Sequence, residues 1–226
     1  MSENIIHTFC LAGVFLILFS SAEILYYKFK VRAELTRKYV HLSTGLLTLL
    51  FPPLIKDQWL VLLLCSSFFI ILILSIKLKL LQSINGVSRK TRGSILYPII
   101  VYGCFLVFEH FGQLVLYYTP ILILAISDPI AALVGKSWAK GKYKTFGQTK
   151  TLSGSGGFLI SSLIICLSLF IGLESIPLFK AIIISFAVAF TTTLAEALSH
   201  KGYDNFTIPA AALSILIFFN HYYNFV

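Results

Sequence analysis

Charge is scarce in this sequence. Only 12% of its 226 residues are Asp, Glu, Lys or Arg, about half the share usual in a soluble domain. With a mean hydropathy of +0.89, that excludes a soluble globular fold and equally a disordered or fibrous chain. Acidic side chains number nine, so each one found inside an apolar run demands a reason. The four cysteines, Cys10, Cys65, Cys104 and Cys166, lie in apolar stretches and make no CxxC or Cys/His pattern. They read as small core or lipid-facing residues. Protein-kinase, HExxH and GxSxG signatures are absent. Gly135-Lys136-Ser137 imitates the end of a P-loop, but Ile130 stands where the first glycine must be, in an apolar helical stretch. The amino-terminal MSENIIHTFC has no basic n-region, and no transit-peptide or lipidation motif is evident.

What is present is apolar: 58% of the chain. Eight apolar segments stand out, at about 5–27, 39–55, 58–76, 94–110, 113–135, 156–173, 176–198 and 207–225. A spanning helix uses about 20 such residues. The expectation is an all-α polytopic membrane protein of about eight transmembrane helices with short loops. Residues 1–226 then form one integral membrane domain, with no room for a soluble one. The second segment is short and is expected to stop at Pro52-Pro53.

The formal net charge is +9. All of the 18 basic residues except Lys56 and Lys180 lie in loops 28–38, 77–93, 136–155 and 199–206. With eight spans these four loops share a side. Lys and Arg collect in cytoplasmic loops, so they are expected to face the cytoplasm, with both termini opposite. A bacterial cytoplasmic membrane is the expected location, an endoplasmic reticulum membrane the alternative. No nucleic-acid partner is implied.

Charged groups inside a span cost at least about 2.5–3.5 kcal/mol and are usually functional. Asp128 is the sharpest case, within LAISDPIAALVG. Pro129 removes an amide donor. Ala132 and Gly135, four and seven residues on, make the same face small enough for close approach. Glu196, His200 and Asp204 are spaced by four and would share a face on a continuous helix, although Gly202 interrupts it and Pro209 is expected to start or cap the last helix. Glu23 and Glu109 sit near segment ends.

Arg37, Lys38 and His41 open the second segment, as a topology anchor or a cationic clamp on phosphate. Residues 147–157, GQTKTLSGSGG, read as a glycine-serine loop before a helix. Its free amides and the helix dipole would make an anion site, with Lys150 adding a full charge. Carboxylates for Mg²⁺, cations for phosphates and an anion loop, all at one membrane face, are the parts of a phosphoryl- or nucleotidyl-transfer site. A nucleoside triphosphate would arrive from the cytoplasm and a lipid from the bilayer.

The set Arg37-Lys38-x-x-His41, Ser127-Asp128-Pro129-x-Ala131 with Gly135, Lys150-Thr151-x-Ser153-Gly154-Ser155, and Glu196 followed by Asp204-Asn205-x-x-x-Pro209 resembles the CTP-dependent lipid kinases. That family includes phytol kinase, dolichol kinase and CTP-dependent diacylglycerol kinase, and it is related to the phosphatidate cytidylyltransferases. The resemblance runs from about residue 32 to 212, with Ser127 where members often have Gly and Thr151 where they often have Ser. It implies transfer of the γ-phosphate of CTP to the hydroxyl of a membrane isoprenoid alcohol or diacylglycerol. It further implies that Asp128, Glu196 and Asp204 are catalytic and hold Mg²⁺. Arg37, Lys38, His41, Lys136, Lys150, Ser153, Gly154, Ser155 and Asn205 would then bind the nucleotide and its phosphates. The alternatives are nucleotidyl transfer to phosphatidate, or transport with Asp128 and Glu196 as relay groups.

Overall fold

The computed structural model describes residues 3–87, 93–146 and 148–223. The expectations attached to Arg89, Lys90, Arg92 and Gly147, and to the end of the eighth segment, lie outside the described residues. Among those described, the chain forms α1 (Glu3–Tyr27), α2 (Ala33–Thr48), α3 (Phe51–Leu54), α4 (Gln58–Lys77), α5 (Gln82–Asn85) and α6 (Gly93–Phe111). Then follow α7 (Val115–Leu122), α8 (Asp128–Ser137), α9 (Leu152–Gly172), α10 (Leu178–Leu198) and α11 (Asp204–Tyr223). A π-helical turn, Ile123–Ser127, joins α7 to α8 without interruption. Strands β1 (Lys142–Thr145) and β2 (Gln148–Thr151) make an antiparallel hairpin.

The helical polytopic expectation holds, with the hairpin as an addition to it. Six helices are long and apolar enough to cross a membrane: α1, α4, α6, the α7–α8 rod, α9 and α10. Eight is therefore not the number that length and composition support among the described residues. The second expected segment is divided. Helix α2 begins at Ala33, so Arg37 and Lys38 are helical, and it ends after 16 residues at Thr48. That is about 24 Å of helix against a hydrocarbon core of about 30 Å. Pro52 and Pro53 do not stop this helix; they sit in the first turn of α3, where a missing N–H leaves no bond unmade. The eighth segment begins at Asp204, with Pro209 inside α11. Helix α9 begins at Leu152, four residues earlier than expected.

The hairpin explains that last difference. Lys142, Tyr143, Lys144 and Thr145 pair with Thr151, Lys150, Thr149 and Gln148, with Phe146 directly after the first strand. Phe146 has φ +42°, as a tight hairpin turn requires. Strand β2 then runs straight into α9.

The helices pack in two connected groups. Helices α1, α2, α4 and α6 stand together, and α7, α8, α9, α10 and α11 pack beside them through α6 and the π turn. The largest fully buried side chains, Tyr117, Phe51, Phe105, Phe158 and Phe170, come from both groups. Tyr117 donates its hydroxyl to the Thr48 carbonyl at 2.9 Å, satisfying an acceptor that the end of α2 leaves free. Phe9, Ile17, Trp59, Ile160 and Phe179 lie exposed on the outside, a surface suited to lipid.

Two helices meet backbone to backbone. A Cβ on Gly154 would lie 2.9 Å from the Ala131 carbonyl oxygen and 3.3 Å from the Gly135 Cα. Glycine at both positions is what lets α9 cross α8 this closely. Gly154→Leu must part the two backbones, and overpacking of this kind costs about 1–3 kcal/mol. The expected result is a lower melting temperature in detergent than wild type; an unchanged one would mean the helices already stand apart.

Candidate active site

The site starts from one proline. Pro129 has no N–H to give, and in the i→i−5 register of the π turn that N–H would have served Leu124 O. His41 Nε2 donates to that carbonyl at 3.1 Å. The His41 ring also packs edge-on against Tyr97, with centroids 5.4 Å apart. Helix α2 comes close enough because residue 45 is glycine: a Cβ there would lie 2.4 Å from the Ala125 Cβ. His41 is thus engaged with the backbone beside Asp128, where a phosphate contact had been expected.

A cavity of about 1430 Å³ opens beside this contact. Arg37, Lys38, His41, Asp128, Lys136, Lys150, Gly154, Ser155, Glu196, Asp204 and Asn205 all line it. Ser153 does not: its hydroxyl donates to the Trp138 carbonyl, a structural bond at the base of the hairpin. The lining draws on described residues of all four basic loops, so those loops gather around one opening.

The carboxylates are engaged differently. Asp128 interacts electrostatically with Asp204 and Glu196, of like sign, and with Lys150 and Lys38, of opposite sign. Glu196 is tied to Lys150, whose Nζ lies 2.6 Å from Oε1 and also donates to the Glu196 backbone carbonyl. Their side chains are only 10% and 15% exposed, respectively. The second carboxylate oxygen, Oε2, is buried with no partner among the described residues. Asp204 Oδ1 accepts from the Asn205 N–H at 3.0 Å. Asn205 Nδ2 donates to the Gly93 carbonyl at 2.8 Å, tying the start of α11 to the start of α6.

Glu196, His200 and Asp204 are not on one continuous helix. Helix α10 ends at Leu198, and Lys201 and Gly202 have φ +51° and +88°. The turn brings Glu196 and Asp204 to the cavity and sends His200 to the hairpin, where it stacks on Phe146 at 5.4 Å. Thr145 Oγ1 donates to the Ala197 carbonyl at 2.9 Å, fixing the hairpin over the α10–α11 turn.

The expected cradle of free amides is not there. Leu152 N–H donates to Gly141 O at 3.0 Å, Ser153 N–H to Lys140 O at 3.5 Å, and Gly154 N–H to Thr151 Oγ1 at 3.1 Å. The first turn of α9 is therefore already capped by the chain itself. Thr151 is the N-cap, a role threonine and serine share. Ser155 shares a hydrogen bond of 2.7 Å with Tyr143.

Lys136 leans outward to Glu34 at 2.8 Å, with side chains 64% and 50% exposed. The ammonium holds the Glu34 carboxyl below its usual range. Glu23, also singled out in the sequence, lies outside the site; its Oε1 accepts the Ser83 N–H at 2.8 Å at the start of α5.

A metal site was expected at Asp128, Glu196 and Asp204. Among the described residues no group of three His, Cys, Asp or Glu side chains is gathered tightly enough to hold an ion by itself. The donor chemistry still suits Mg²⁺, which is bound through one or two carboxylates together with substrate phosphates. The residues sequence reasoning missed are Tyr143, Thr151 as a cap, and Tyr97. The alternating KYKT and QTKT around Phe-Gly was the available signal for the first two. Tyr97 carried none.

No family model matches the chain, and no solved structure matches it. The chain is similar to a phytol kinase of Synechocystis sp., at 29% identity over 186 residues, 81% of this chain and 78% of that protein. This relative bears out the resemblance of the motifs to the CTP-dependent lipid kinase family.

The two ion pairs separate structure from surface. Lys150→Ala leaves Glu196 buried and unpaired and should cost about 3–5 kcal/mol. Lys136→Ala breaks an exposed pair and should cost no more than about 1 kcal/mol. Thermal unfolding of both variants in one detergent checks this, and equal small shifts would deny Lys150 a structural role.

Proposed function

We propose that the protein is a lipid-alcohol kinase. It transfers the γ-phosphate of CTP to the hydroxyl of a membrane isoprenoid alcohol or diacylglycerol. The observation that carries this reading is one cavity whose opening collects acids and cations from all four basic loops and whose interior is apolar. The similarity to a phytol kinase supports a lipid-alcohol kinase, and CTP as donor rests on the resemblance of the motifs.

In this reading Asp128 stands nearest the reaction. It orients the lipid hydroxyl, and with Asp204 it would hold Mg²⁺ on the phosphates. The ion supplies charge neutralisation on the triphosphate when bound. Arg37 and Lys38 add positive charge from the start of α2. Lys150 acts through Glu196: its ammonium holds that carboxylate in place at the cavity wall. Asn205 positions Asp204 by tying α11 to α6. No residue need be a strong base, because phosphoryl transfer rests mainly on positioning and electrostatics.

Transport is the weaker reading, because the charged groups crowd at one end of the cavity and the other end is lined by Phe15, Phe51 and Phe68. Nucleotidyl transfer to phosphatidate would use the same polar groups but release pyrophosphate.

The test is radiolabel transfer with the purified full chain in mixed micelles, Mg²⁺, and a pool of phytol, geranylgeraniol, polyprenol and diacylglycerol. Label from γ-labelled CTP is expected in a lipid phosphate. Label only from α-labelled CTP would favour the nucleotidyl transfer. Asp128→Asn is expected to abolish transfer while the protein remains folded; wild-type turnover would remove Asp128 from the mechanism. The active site is proposed to face the cytoplasm. A cysteine replacing Lys144 should then react only with reagent on that side, and labelling from the other side would invert the topology.

A further inference from the structure

The cavity has two parts of different chemistry. Its opening is ringed by Asp128, Lys38, Glu196 and Asp204. Below that ring it continues between α1, α2, α4 and α6 as an arm lined by Phe15, Phe51, Leu64, Phe68 and Val101. Mouth and arm together, the cavity follows α2 from Arg37 to Thr48 and α4 from Ile76 to Leu64. At about 1.5 Å per residue these stretches are roughly 16–18 Å long. A single leaflet has a hydrocarbon depth of about 15 Å, half the bilayer core.

The far end is closed by rings. Phe15 lies 6.1 Å from Phe51 edge-on and 5.0 Å from Phe68, and Phe68 lies 5.7 Å from Phe19. Phe51 is 2% exposed and stands where the short α3 continues α2, so it lies across the arm's end. That end is secured from the opposite side by His7, whose Nδ1 donates to Leu54 O at 2.9 Å.

Resting on the kinase reading above, we propose that this arm holds the hydrocarbon chain of the lipid alcohol and that the Phe15–Phe51–Phe68 cluster sets its maximum length. The occupant is a single-chain alcohol about one leaflet long, with its hydroxyl at Asp128 and its tail against Phe51. The depth of the cavity from its polar ring to Phe51 matches that of one leaflet, so a long polyprenol extends beyond the plug. The cavity wall offers the tail aliphatic and aromatic contact, and the burial of its apolar surface supplies the binding energy.

The experiment compares alcohols of graded length on the full chain in micelles: geraniol, farnesol, geranylgeraniol, phytol and solanesol. Wild type is expected to prefer geranylgeraniol and phytol. Val101→Phe puts a ring into the arm and should shift the kcat/KM ratio of farnesol to geranylgeraniol upward by roughly tenfold or more. Phe51→Ala lengthens the arm and should raise the ratio of solanesol to geranylgeraniol. A ratio within one variant is insensitive to the fraction of protein that folds. Loss of activity toward all alcohols in equal proportion, in both variants, would overturn the arm as the chain site. No transfer to any alcohol by the wild type would instead overturn the kinase reading itself.

Discussion

A backbone carbonyl that loses its amide inside a membrane must find another donor, because no water is there to supply one. Pro129 creates that situation one residue after the acid most exposed to cost. The π turn at Ile123–Ser127 shifts the register, and His41 reaches across from α2 to take the Leu124 carbonyl. That bond fixes α2 against the α7–α8 rod. It does so in a place where Gly45 and Ala125 allow near contact. Arg37 and Lys38, on the same helix as His41, are thereby held at the opening that Asp128 also lines. The cavity opens beside this pinned contact.

Electrostatics follows from the same scarcity of charge. With so few acids, the protein brings four, Glu34, Asp128, Glu196 and Asp204, to one cavity and balances them unequally. Glu196 receives the ammonium of Lys150 at 2.6 Å. Asp128 has the fields of Lys150 and Lys38 to set against its like-charged neighbours Asp204 and Glu196. In a low-dielectric setting an arrangement of that kind is costly to the protein alone and is relieved when a cation or a donor hydroxyl arrives. The acid paired with an ammonium and the acid set among opposing fields suit different tasks, which is the basis for giving Glu196 a positioning role and Asp128 a direct one.

Hydropathy made the membrane fold legible, and the motif residues made the site legible, since all of them but Ser127, Ser153 and Pro209 line one cavity. Two kinds of feature were not. Helix boundaries near prolines moved: Pro52 and Pro53 open α3, and Pro209 lies within α11. Proline reports a missing N–H, and the sequence does not say whether the structure needs that N–H. The glycine-serine stretch before α9 misled for a related reason. Small residues leave amides free only if no other acceptor reaches them, and the carbonyls of Lys140 and Gly141 come from the far side of a hairpin. The lysine expected to bind phosphate was likewise claimed by a carboxylate remote in sequence. Local pattern located these residues correctly, and tertiary partners decided what they do.

The shape of the cavity bears on how a membrane kinase could separate its two substrates. A nucleotide is soluble and highly charged, and an isoprenoid alcohol is neither. One chamber can take both only if its polarity changes along its length. Here the change falls at α2, a helix with Arg37 and Lys38 in its second turn and Val40, Thr44 and Thr48 facing the cavity further on. His41 sits at the boundary, lining the cavity with its Nε2 already committed to Leu124 O. A neutral or cationic imidazole free at that point would draw phosphate downward into the apolar arm. Held against a carbonyl, its Nε2 is engaged at the level where the lining turns from charged to apolar. The proposed reaction then takes place at the boundary, where the lipid hydroxyl is the one polar atom its chain carries and Asp128 is the first acid it would meet.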